Sequence, residues 1–423
     1  MEWTWRRVDP EHSSKITPSH SAAAQKNFKP PPRRYHSCVT HKGQLWLFGG
    51  SKATETFNDL FSFDLQNQVW SLVLSHHDSV VGAEEGGASS SGEHTGAAEQ
   101  QQSRPPPRFG HAAYVWGESM WVFGGVGADN KPLNDLWAFH FETVRWRHVC
   151  TAGAPCPSPR YHYSGAVSGN MLYLFGGSQN LSTHLDDLWQ FNFTTETWKH
   201  IPTATAGPAS SSSTEEEKTK DNGTEDKHKG KEEEASTGAQ QPCARAGHIV
   251  FIYNEELYVY GGYCGKGGFT YLQDTYKLSL ASLLLEEECK TPIAAEGASS
   301  SQQLQYWQQL SSCSPPECLP LTARPMNCAM LGRCVFVYGG YDAGSSRPVS
   351  NLYMYDVVMN RWQIIKLWLA LEGESSIVAA AIGTKAMHPI PRYGHTITLH
   401  DGSFFVFGGS GSLFLNDLVE IFP

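Results

Sequence analysis

A chain of 423 residues is long enough for two or three ordinary domains or for one large repeat array, and 40 Gly and 24 Pro beside 13 Trp, 17 Tyr and 20 Phe favour short strands punctuated by turns. The net charge of -10 is unevenly spread: segments 77–104, 209–240 and 283–303 hold 18 of the 42 acidic residues and 7 of the 32 basic ones, so the remainder is near neutral and lacks the basic footprint of a nucleic-acid-binding domain. No apolar run approaches the roughly 20 residues of a membrane helix and the opening MEWTWRRV has no signal-peptide core, so a cytoplasmic protein without membrane insertion is expected, with the nucleus as the alternative.

In chain order, a short strand is expected at residues 2–8, followed by six units of one pattern. The first, about 33–76, opens on Arg33 with His36, runs through the alternating strand LWLFGG ending at Gly50, then FNDLFSFD and Trp70. The second, 108–150, has Arg108, His111, MWVFGG to Gly125, LNDLWAFH and Trp146. The third, 160–203, has Arg160, Tyr163, LYLFGG to Gly177, LDDLWQFN and Trp198. The fourth, 245–312, has Arg245, His248, LYVYGG to Gly262 and LQDTYKLS, with its tryptophan delayed to Trp307 by segment 283–303. The fifth, 324–366, has Arg324, Asn327, VFVYGG to Gly340, SNLYMYD and Trp362. The sixth, 392–423, has Arg392, His395, FFVFGG to Gly409 and LNDLVEIF, but no tryptophan strand. The Ser, Ala, Gly, Glu and Gln of the three acidic segments cannot bury enough apolar surface to offset chain entropy, so disordered insertions into one fold are expected there. In the second of them Ser212, Ser213 and Thr214 each stand three residues before a glutamate, an acidic pattern that suits phosphorylation.

The aromatic strand, Gly-Gly pair, N-D-L and spaced tryptophan resemble the kelch repeat family over nearly the whole chain outside the insertions. The resemblance implies an all-β fold, a six-bladed β-propeller of four strands, a to d, per blade. The missing d strand of the last unit then comes from the other end: residues 2–8 pair with 416–422, Trp5 takes the tryptophan position, and no blade edge is left open. Such a chain is expected to form a single domain of the free-standing type, without BTB or F-box segments, and to be a monomer.

Alternating strand direction puts the b–c loops and the d–a connections on one face, and the a–b and c–d turns on the other. The first face is the elaborated one. It carries YCGKGGFTYLQ in blade 4 and YDAGSSRPVS in blade 5, and the partner-binding candidates are Tyr263, Lys266, Phe269, Tyr271, Tyr341 and Arg347, residue types suited to concentrating binding energy. Arg108 and Arg392 join them as members of the recurrent arginine set, which suits either blade packing or recognition of a carboxylate. A metal ring of His36, His111, His248 and His395 is the disfavoured reading of the histidines. Ten cysteines without a C-x-x-C pair are expected to be reduced thiols with no redox role. No phosphate loop, nucleophile elbow or zincin motif occurs, so no cofactor, no metal and no enzymatic activity are expected. The function expected is a scaffold or adaptor gripping a protein partner's peptide or loop; a ubiquitin-ligase substrate receptor, and more remotely a kelch-type mutarotase or oxidase, are the alternatives.

Overall fold

A computed structural model describes residues 2–8, 29–75, 104–149, 155–204, 241–265, 270–281, 283, 305–320, 327–342, 344–370 and 389–423. The alternating segments form the inner strands of six antiparallel blades. Blade 1 comprises strand a (Ser37–His41), b (Gln44–Phe48), c (Leu60–Asp64) and d (Val69–Leu74), and the same a-b-c-d order recurs in blades 2 to 5.

The two faces of each b strand are both buried because each serves a different interface. In blade 1, Leu45 and Leu47 enter a core shared with Phe405 and Phe407 of blade 6, whereas Trp46 and Phe48 enter one shared with Met120 and Val122 of blade 2. In blade 3, Leu172 and Leu174 face blade 2, and Tyr173 and Phe175 face blade 4. Period-2 alternation thus divides one strand's side chains between two neighbours. Six such clusters close the ring. The d-strand tryptophan lies against the b-strand aromatic of the preceding blade: Trp70 on Phe407 at 5.1 Å between ring centres, Trp146 on Phe48 at 4.9 Å, Trp198 on Phe123 at 5.1 Å and Trp362 on Tyr260 at 4.7 Å. Trp307 is fully buried and meets Phe175 at 5.4 Å, so the delayed tryptophan still reaches its place.

Blade 6 is closed by the N-terminal strand, Trp3–Val8, antiparallel to strand c (Leu418–Phe422), with Thr4 opposite Phe422 and Val8 opposite Leu418. Trp5 stands opposite Ile421 as Trp70 stands opposite Phe63. The register is the expected one, but the packing differs. Trp5 is only half-buried, and Trp3 is the covered ring, 5.1 Å from Phe336 of blade 5 and stacked on Phe404 at 5.5 Å. The residue two before the tryptophan is in other blades part of the c–d turn with a left-handed backbone: Gln68, Val144, Glu196 and Asn360. Blade 6 has no such turn, so Trp3 stays extended and packs into the core. A fifth strand that the repeat pattern does not contain, Leu367–Leu369, runs parallel along the outside of Trp3–Val8.

Segments 77–104, 209–240 and 283–303, with Ser212, Ser213 and Thr214, lie outside the described residues except at Arg104 and Leu283. Leu283 is buried in the core between blades 3 and 4, so it belongs to the fold rather than to the insertion. Arg104 donates from Nη1 to the carbonyl of Ser75 at 2.6 Å, which pins the two ends of the first segment together.

Candidate functional site

Five of the recurrent arginines, Arg33, Arg108, Arg160, Arg245 and Arg392, are completely buried and their donors are used inside the blades. Arg33 donates from Nη1 and Nη2 to the two carboxylate oxygens of Asp59, at 2.6 and 2.9 Å, from Nη1 to the carbonyl of Gly49 at 2.9 Å, and from Nε to the carbonyl of Pro31 at 3.1 Å. Arg108 with Asp135, Arg160 with Asp187, Arg245 with Asp274 and Arg392 with Asp417 repeat the arrangement. Burial would raise the carboxyls of Asp135 and Asp187, but the hydrogen bonds and charge of their arginines outweigh it and hold both below the usual carboxylate range. Arg108 and Arg392 therefore cannot take a partner's carboxylate: bidentate bonds tie each to the aspartate of its own blade. The Arg–Asp coupling was readable in principle, because the aspartate of N-D-L, L-D-D or Q-D-T recurs 25 to 29 residues after each of these arginines. In blade 5 that position holds Asn351, and Arg324 lies outside the described residues.

Immediately beyond the arginines the chain turns into the axial channel. The residue two after each has a left-handed backbone: Tyr35, Gly110, His162, Gly247 and Gly394. Tyr35 N–H donates to Gly394 O, Gly110 to Tyr35, His162 to Gly110 and Gly247 to His162, at 2.7 to 3.0 Å. This belt of main-chain bonds joins blades 6, 1, 2, 3 and 4 around the channel mouth. Tyr35 and His162 hold side chains where three blades have glycine, and their rings lie 5.0 Å apart over the mouth. Space there is about 40 Å³, widening to about 380 Å³ between the a strands below.

One residue further on, His36, His111 and His248 are locked between blades. His36 Nε2 meets Thr396 Oγ1 at 3.1 Å, His111 Nε2 meets Ser37 Oγ at 2.9 Å and His248 Nε2 meets the carbonyl of Phe175 at 3.1 Å. Tyr163 stands in the same place in blade 3 and donates its hydroxyl to Phe123 O at 2.6 Å. Burial, then the neighbouring arginine, pushes His111, His248 and His395 down to about 3 and His36 well below its ordinary value. These imidazoles are neutral packing groups. Among the described residues no cluster of three or more side chains could hold a metal.

On the elaborated face, Tyr263 and Tyr271 are directly opposite on the b–c ladder of blade 4, yet Tyr263 is buried, its hydroxyl 3.2 Å from His162 Nδ1, while Tyr271 is half-buried. Lys266 and Phe269 lie outside the described residues. Tyr341 and Arg347 belong to one small hairpin in blade 5; Arg347 is exposed, and Tyr341 is half-buried, its ring edge-to-face with that of Tyr393 and the ring centres 5.6 Å apart. Sequence reasoning missed the continuation of this surface. Arg34 bonds the Tyr393 hydroxyl at 3.0 Å and lies over the rings of Tyr35, Tyr393 and Phe414 at 5.0, 5.9 and 5.3 Å. Leu181 and Leu413, at the tips of the b–c loops of blades 3 and 6, are 79% and 73% exposed, the most open large apolar side chains among the described residues.

Comparison with known proteins agrees with this architecture. Residues 93–222 match the family described as the KLHDC2/KLHL20/DRC7 Kelch-repeats domain, and residues 32–73 and 323–366 match the Kelch motif. The chain is 27% identical over 73% of its length to the leucine-zipper-like transcriptional regulator 1 homolog of Drosophila melanogaster, covering 25% of that protein. It is 24% identical over 57% of its length to the mouse Rab9 effector protein with kelch motifs, covering 50% of it, and 27% identical over 59% to bovine Kelch domain-containing protein 3, covering 53%. The chain thus spans a quarter to about half the length of these relatives. Six blades built on a repeated aromatic strand, Gly-Gly pair and Arg–Asp clamp, together with these matches, show that the chain belongs to the kelch-repeat family.

Proposed function

We propose that this chain is a non-catalytic interaction module, a scaffold or adaptor that docks a loop or peptide of a protein partner on the face formed by the b–c loops and d–a connections. The observation that carries this reading is the placement of Leu181, Leu413, exposed Arg347 and the Arg34–aromatic cluster on one face. Arginine and aromatic side chains concentrate binding energy, and apolar tips exposed to this degree gain from being covered. The Tyr35 and His162 rings over the mouth favour a partner that lies across the face rather than one threading the channel. Tyr271 and Tyr341, with Lys266 and Phe269, form the blade 4–5 sector of the same reading, whereas Arg108 and Arg392 act inside the blades and buried Tyr263 packs toward His162.

The test is affinity capture with the intact chain and mass spectrometry of what is retained. A variant carrying Leu181→Asp, Leu413→Asp and Arg347→Ala is expected to keep its melting temperature and lose the specifically captured protein. Val358→Asp with Met359→Asp, in the blade 5 c–d turn on the opposite face, is expected to change nothing. The reading is overturned if the second variant loses the partner and the first does not.

A further inference from the structure

Blade 4 differs from its neighbours in one chemical respect. The residue two before its arginine is Cys243 and the residue two after its Gly-Gly pair is Cys264. The same positions hold Pro31 and Lys52, Pro106 and Gly127, Ser158 and Gln179, Thr322 and Asp342, and Ile390 and Gly411 in the other blades, so the cysteine pair is not a property of the repeat. Antiparallel bonds between Ala246 and Tyr263, at 2.9 and 3.0 Å, draw the two segments together, and the thiol of Cys264 lies within hydrogen-bonding reach of that of Cys243. Arg245 Nη2 stands 3.5 Å from Cys243 Sγ. Cys243 is exposed and Cys264 half-buried. No third ligand completes a metal site among the described residues, which leaves dithiol chemistry for the pair.

We propose that Cys243 and Cys264 are a reversible oxidation site, closing to a disulfide in the presence of a peroxide and reopening with a thiol reductant. The surroundings divide the roles. Exposed Cys243, with the Arg245 guanidinium 3.5 Å from its sulfur, is the one a peroxide reaches first, whereas half-buried Cys264, whose thiol burial and then the neighbouring Cys243 push up, stands behind it as the resolving group. The Cys243 thiolate attacks one peroxide oxygen; the O–O bond breaks, a Cys243 sulfenic acid forms and hydroxide leaves, taking a proton to become water. Cys264 sulfur then attacks Cys243 sulfur, the S–S bond forms, the S–O bond breaks, and the departing hydroxide takes the Cys264 proton. Two thiols and one hydrogen peroxide become one disulfide and two waters. The bond would tie the connection entering blade 4 to the root of its b–c loop.

The experiment treats the full chain with hydrogen peroxide, blocks remaining thiols with an alkylating agent and maps peptides without reduction. A Cys243–Cys264 cross-linked peptide is expected as the main product. It should disappear on dithiothreitol treatment and be absent from Cys243→Ser and Cys264→Ser. Cys243→Ser is expected to fold as the parent does, because Ser158 already fills that position in blade 3 and accepts from Arg160 Nη2 at 3.0 Å. The proposal is overturned if both cysteines of the parent stay as alkylatable as exposed Cys313, or if Cys243 proceeds to sulfinic acid equally in the parent and in Cys264→Ser.

Discussion

Each buried arginine answers the desolvation of its charge with an aspartate of its own blade and with main-chain carbonyls on either side. Such a pair adds little net stability over a well-packed apolar substitute, but removing one member strands the other. Arg33→Met, which leaves Asp59 and Gly49 O without their donor, is therefore expected to cost about 3–5 kcal/mol in urea unfolding. The histidines give the ring a pH dependence. Their folded pKa values lie below the unfolded value near 6.5, so between the two the unfolded chain binds more protons. Stability from this source is fully present above pH 6.5 and is lost as pH falls toward 3, at about 1.4 kcal/mol per pH unit for each histidine. Asp135 and Asp187, lowered in the fold, add to the loss only as pH falls through the ordinary carboxylate range. A urea midpoint that stayed level from pH 6.5 to 4.5 would contradict neutral, buried imidazoles. Gly50 supplies a steric test. Its left-handed backbone sits where an added Cβ would come within 2.8 Å of His36 Cβ and 2.9 Å of Arg34 O, so Gly50→Ala should lower the melting temperature sharply, whereas Gly117→Ala, left-handed but facing open space, should lower it only slightly.

At the scale of strands, the N-terminal strand carries the closure. Its removal uncovers strand c of blade 6 and the apolar cluster that holds Trp3, Phe336, Phe404 and Leu367. A chain lacking residues 2–8 is expected to melt earlier and to aggregate through the open edge, read by light scattering. Within that strand the two tryptophans are unequal. Trp3→Ala should cost about 3–5 kcal/mol, the range for emptying a buried aromatic site, and Trp5→Ala distinctly less because Trp5 is only half-covered. Equal losses in parallel denaturant titrations would restore Trp5 to the place that the repeat pattern expects for it.

Across the whole molecule, no blade has a core of its own. Each of the six clusters draws on two adjacent blades, including the one between the first and last. Opening one interface therefore removes support from both neighbours. The described propeller is expected to unfold in one cooperative step, with tryptophan fluorescence and far-UV circular dichroism tracing the same curve. The main-chain belt at the mouth adds to this coupling.

The sequence by itself determined the number of blades, the strand order within each and the closure of the last by residues 2–8, because those features rest on local alternation, Gly-Gly punctuation and tryptophan spacing inside one repeat. It also marked the arginines, though not what they do. The nearly constant spacing to Asp59, Asp135, Asp187, Asp274 and Asp417 hints at a pairing, but that the pairs are bidentate and buried follows from how the b–c loop folds back over the strand opening. Only the tertiary structure decided that Trp3 rather than Trp5 is the covered ring, since that depends on the absence of a c–d turn in blade 6. It also showed Arg34 beside the aromatics of blade 6 and brought Cys243 to Cys264. These are contacts between segments that meet only when the chain turns back or the ring closes, and a repeat read along the chain carries no signal for which side chains will then face each other.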